Sequence, residues 1–167
     1  MMTERQTRRW SDPLAEAVAA IAAISLIALV FVQGWQVFAR YVLNHSPSWI
    51  EPVTVSLLTA AMAFGAAAGV HAERHFAFAL LAGKAAPRVR TALRLAQKTV
   101  VAAIGATVFL WSLRLFLDGI DVHAAGAPLP ETLPFAPVAV GGVLMAVFAL
   151  DQGVRLVRQH RAGEEVR

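Results

Sequence analysis

The chain contains no cysteine, and Asp, Glu, Lys and Arg together supply only 16% of its 167 residues, against about 25% in ordinary soluble domains. The missing cysteines exclude disulfide frameworks, thiol nucleophiles, Cys-ligated zinc and iron–sulfur clusters in one step. They leave the redox compartment open. The scarcity of charge is matched by a 57% share of hydrophobic residues and a mean hydropathy of +0.58. That is more apolar surface than one compact core needs, so something other than water must cover the rest, most simply lipid. A modest excess of 15 Lys and Arg over 11 Asp and Glu does not point to nucleic acid. Such a partner calls for a basic face alternating with a core stripe, whereas here the charges sit between long apolar runs. No nucleic-acid partner is expected, and the lipid bilayer is.

A spanning helix needs roughly 17–25 mostly apolar residues, because it rises about 1.5 Å per residue through a hydrocarbon layer about 30 Å thick. Four stretches qualify, at about residues 14–39, 53–70, 99–117 and 133–150. The first follows Arg5, Arg8 and Arg9 as a secretory signal would. It runs well past a signal core of 7–15 residues, however, and Gln33-Gly34-Trp35-Gln36 does not resemble a small-residue cleavage site, so it reads as a retained anchor. Trp49, Ile50, Glu51 and Pro52 open the second span, proline being suited to a first helical turn. No linker long enough to separate a pair of domains occurs and no internal repeat stands out, so residues 1–167 read as one all-α integral membrane domain.

Orientation follows from the Lys and Arg count of the connections. Thirteen of the fifteen fall on one side: Arg5, Arg8 and Arg9 before the first span, six from Arg74 to Lys98 between the second and third, and Arg155, Arg158, Arg161 and Arg167 after the fourth. The connection after the third span carries Asp118, Asp121 and Glu131 with no Lys or Arg. Both termini are therefore expected in the cytoplasm. In the middle connection, Phe76, Phe78, Leu80 and Leu81 beside Lys84, Arg88 and Arg90 suit either a short helix lying among the headgroups or a plain basic loop.

Candidates for chemistry are few. His71 and His75 have the spacing of two ligands on one helix face, but Glu73 stands third in His-Ala-Glu-Arg-His, so the run is not the zinc-protease motif. Haem held by the same histidines, as in a membrane anchor of a redox enzyme, is a competing reading, and interfacial residues bonded to backbone or headgroups are the plainer one. Glu16 could serve a self-contained four-helix proton-coupled exporter, although its place just after Asp12 and Pro13 suits an interface better. Arg114, four residues before Asp118, permits a helical ion pair. Gly65 and Gly69 give the second span a side-chain-free face on which backbones can approach closely, within this chain or against another. Gly141 and Gly142 offer the fourth span the same chance. There is no phosphate-cradling loop, no Ser-His-Asp pattern and no carboxylate pair, so neither an enzyme nor a cofactor or metal is expected.

The order Arg40-Tyr41, Ser46-Pro47-Ser48-Trp49-Ile50-Glu51, Phe64-Gly65-Ala66-Ala67 and His75-Phe76 resembles the small membrane subunit of tripartite ATP-independent periplasmic (TRAP) transporters. So does Pro128-Leu129-Pro130-Glu131-Thr132-Leu133-Pro134 with Pro137 and Gly141 after it. The resemblance implies a multi-pass protein of the bacterial inner membrane. Its partners would be a large sodium-coupled membrane subunit and a periplasmic substrate-binding protein that delivers an organic acid. It also implies a scaffolding role, with Arg40, Trp49 and Glu51 fixing the first outer hairpin, Tyr41 beside them, Gly65 and Gly69 allowing close packing, His75 anchoring the turn into the middle connection and Pro137 marking the last helix.

Overall fold

The computed structural model describes residues 11–45, 47–72, 87–124 and 128–164, with side chains placed except at 87, 88, 90 and 159–164. Four helices account for most of them: α1 (Ser11–Tyr41), α2 (Ile50–His71), α3 (Pro87–Asp118) and α4 (Phe135–Glu164). Each contains a stretch long and apolar enough to cross a membrane. Among the described residues there is no strand, only a single antiparallel bridge between His123 and Pro130. The helices outrun the four apolar stretches. The 32 residues of α3 measure roughly 48 Å at 1.5 Å per residue, so this helix carries Arg94 and Lys98 on a continuous rod rather than in a loop. Lys, Arg and Gln are good helix formers, and a hydropathy window ends where apolar residues end even though the hydrogen-bond ladder does not. Most of the segment proposed to lie among the headgroups, residues 73–86, is outside the described residues.

The helices pack side by side in the order α1, α2, α4, α3, with α2 and α4 in the middle and α1 and α3 at the edges. Along α1 the inward positions are Ser11, Ala15, Val18, Ala22, Ser25 and Ala39, all buried, with half-buried Leu29, Val32 and Gln36 between the last two. This is a heptad seam with a period of about 3.5. Its opposite faces carry Ile24, Val30 (71% exposed) and Phe31 (74% exposed). Large side chains outside and small ones inside invert the arrangement of a water-soluble bundle, as expected where lipid solvates the outside and close backbone approach holds the inside.

The deepest core lies at the end where α1 begins and α4 finishes. Ala15 and Val18, Ala67 and Val70, Ala102, and Phe148 and Ala149 bring all four helices into it. Phe148 is fully buried. Farther along, glycine sets the spacing. A Cβ on Gly142 would sit 2.8 Å from the Phe109 amide nitrogen, and one on Gly105 would sit 2.8 Å from the Gly142 carbonyl oxygen. A Cβ on Gly141 would fall 2.6 Å from that of Ala63. The fourth span thus uses its adjacent glycines in both directions, toward α3 and toward α2.

Candidate functional site: a polar clasp and an open helix face

Polar groups join the helices at the core end of the row. Asp12, in the first turn of α1, accepts a hydrogen bond at Oδ1 from His71 Nε2, the last residue of α2, at 3.1 Å. The imidazole also lies against Phe148 of α4, with ring centroids 5.1 Å apart. Gln152, only 4% exposed on α4, donates its amide N–H groups to the carbonyls of Val70 and His71 at 3.0 and 3.1 Å. Those carbonyls belong to the last turn of α2, where carbonyls lie beyond the regular helical ladder, and the Val70 oxygen also receives a backbone N–H of the helix cap. The Gln152 carbonyl oxygen accepts from Lys98 Nζ on α3. One residue therefore uses both of its donors and its acceptor to tie three helices, and His71 with Asp12 adds the fourth. Beside it, Asp151 and Arg155 form an ion pair of 2.9 Å within α4.

This clasp is structural chemistry. Each of these hydrogen bonds ends on a backbone carbonyl or a neighbouring side chain, and no Ser, Thr or Cys takes part in them. Among the described residues no group of three His, Cys, Asp or Glu could hold a metal. Glu16 is exposed, one turn along from Asp12, and does not face the interior of the row. His75 lies outside the described residues, so its anchoring role has no geometry here, while His71 is engaged by a carboxylate. Sequence reasoning passed over Asp12, Lys98 and Gln152. The available signal was Asp151-Gln152 closing an apolar run, where polar groups need partners.

At the opposite end, α1 closes with the His45 amide donating to the Ala39 carbonyl at 3.1 Å and the Val42 amide to Phe38 at 2.9 Å. Asn44 takes a left-handed φ of 49°, a conformation asparagine tolerates better than most residues. Ile50, 1% exposed, plugs the start of α2, and the Ile50 amide donates to Pro47 at 3.3 Å. Backbone bonds and an aliphatic plug thus close this hairpin. Arg40, Tyr41, Trp49 and Glu51 stand around it exposed, and no ion pair joins Arg40 to Glu51 among the described residues. Arg114 and Asp118 are likewise exposed and unpaired with each other. Pro137 occupies the first turn of α4, where its missing donor costs nothing. The turn before it is held by the Phe135 amide on Thr132 at 2.9 Å, and Thr59 of α2 donates to Pro134 at 3.1 Å.

The remaining feature is a face of α2. Glu51, Val55, Leu58, Met62 and Gly65 are all exposed, at spacings of three or four residues, and half-buried Gly69 continues the line. A Cβ built on Gly65 or Gly69 meets nothing within 4 Å. The glycines expected to support close packing thus divide: Gly141 and Gly142 are used inside the chain, joined by Gly105, which sequence reasoning did not single out, and Gly65 and Gly69 are left open among the described residues.

Four membrane-capable helices packed through a small-residue interior define a helical membrane protein. The family model for tripartite ATP-independent periplasmic transporters, DctQ component, matches residues 29–159. The chain belongs to this family, the small membrane component of TRAP transporters. A search of curated proteins found no match.

Proposed function

We propose that this chain is the scaffold of a TRAP-type secondary transporter in the bacterial inner membrane, with both termini in the cytoplasm. It braces a large sodium-coupled subunit that takes up an organic acid delivered by a periplasmic binding protein. The observation that carries the reading is the exposed line from Glu51 to Gly69 on α2. A central helix of the row presents a seam of period about 3.5 with two glycines and no partner among the described residues, the surface a second transmembrane helix fits. Exposed Arg40, Tyr41 and Trp49 extend that surface at the outer end, and His75 is proposed to anchor the cytoplasmic connection. The clustering of thirteen positive charges at the clasp side supports the orientation.

A brace must hold the static helices of its partner about equally well in each state of the cycle. A preference for one state would shift the equilibrium and slow transport. A rigid row tied at one end by the clasp suits that task. Gly69→Leu should cut the amount of large subunit that co-purifies with the tagged chain several-fold. The melting temperature of the isolated chain should hold, because that position is open. Undiminished co-purification would remove α2 from the interface.

A further inference from the structure

A groove of about 420 Å³ runs between α3 and α4 on the outside of the row, at the clasp end. Leu150, Val154, Val157 and Leu95 supply its aliphatic wall, and Lys98 and Arg158 stand at its sides. Leu150 and Arg158 are eight residues apart on α4, roughly 12 Å along the axis. The groove thus begins in the apolar part of the span and ends among cations, the sequence of environments met by a phospholipid from acyl chain to phosphate. Gly153 forms part of the lining. A Cβ there would meet only Lys98 Cβ, at an ordinary 3.8 Å, so glycine is not needed for the two backbones to approach. Its effect is to leave the groove open.

The charges of the groove discriminate between lipids. Arg158 is exposed and its guanidinium enters no hydrogen bond or ion pair among the described residues. Lys98 brings an ammonium that also donates to Gln152. The nearest acid on α4, Asp151, is held by Arg155 and does not line the groove. Two cations above an aliphatic slot favour a net negative headgroup over a zwitterionic one, each basic group near the membrane surface contributing a factor of roughly five in affinity.

We propose that this groove is a binding site for one anionic phospholipid, its phosphate between Lys98 and Arg158 and an acyl chain along Leu150 and Val154. The lipid would fill the edge of the α3–α4 pair next to the clasp and so strengthen the end of the row where Lys98 meets Gln152.

The test places the full chain in nanodiscs of phosphatidylcholine with or without phosphatidylglycerol, and reads retained lipid by native mass spectrometry after detergent extraction. Wild type should retain phosphatidylglycerol in preference to phosphatidylcholine by fivefold or more. Arg158→Gln should cut that preference about fivefold, and Gly153→Leu, which fills the slot without touching a charge, should abolish retention of either lipid. Circular dichroism of both variants confirms that the helices persist, and phosphatidylglycerol should raise the melting temperature of wild type alone. Equal retention of the two lipids by wild type, or unchanged preference in both variants, overturns the proposal. So does a photoreactive residue at Val154 that, in native membranes, cross-links to a protein instead of to phospholipid.

Discussion

Gln152 shows how much of the packing rests on one side chain. Its amide donates to two carbonyls of α2 and its oxygen receives Lys98, so Gln152→Leu removes both donors from the end of α2 and the acceptor from Lys98. An unsatisfied buried group costs about 1–3 kcal/mol. The variant should therefore melt several degrees lower in detergent, as followed by circular dichroism. Gln152→Glu should lose stability too, because its carboxylate can accept from Lys98 but cannot donate to Val70 and His71. Equal melting of Gln152→Leu and wild type would mean that the clasp carries no weight. His71 illustrates the limit of reading residues singly. Beside His75 it suggests a ligand pair, and only the return of α1 across the end of α2 brings it the Asp12 carboxylate.

At the scale of helices, the existence and order of the four spans were legible because apolar length is a property of consecutive residues. Their extents were not. α3 and α4 continue beyond the hydrocarbon-length stretches as polar helix. Nor could the seams be read directly, since in a membrane the outside of a helix is as apolar as its inside. Size supplies the distinction that hydropathy cannot: Ala15, Ala22 and Ser25 lie inside α1, and Ile24 and Phe31 outside. Glycine sharpens it. Gly142→Val would drive side-chain atoms into the α3 backbone, where even a Cβ falls 2.8 Å from the Phe109 amide nitrogen. Such overpacking costs about 1–3 kcal/mol. Gly65→Val, on the open face, should change the stability of the isolated chain by less than about 0.5 kcal/mol. Reversible unfolding of the two purified variants in mixed micelles compares them directly, and equal losses would contradict the division of the glycines.

For the whole molecule, the proposed orientation makes a prediction that the cysteine-free sequence simplifies. A single cysteine at Asp121, in the exposed connection between α3 and α4, should react with an impermeant maleimide in intact spheroplasts. One at Ala162, past the last apolar stretch of α4, should react only after lysis. The reverse pattern would invert the topology. In the row α1, α2, α4, α3, the line from Glu51 to Gly69 lies on a side of the central helix α2 that its two neighbours leave uncovered among the described residues. Composition and the lengths of the apolar runs determined that this chain is a set of membrane-capable helices, and the order of short motifs from Arg40 to Gly141 determined its family, because both are written along the chain. Which glycines are consumed inside, which polar residues meet at the clasp and which face of α2 remains free were decided only by the tertiary structure. Each depends on residues as far apart as Asp12 and His71, or Val70 and Gln152, and no local pattern in the sequence specifies that they meet.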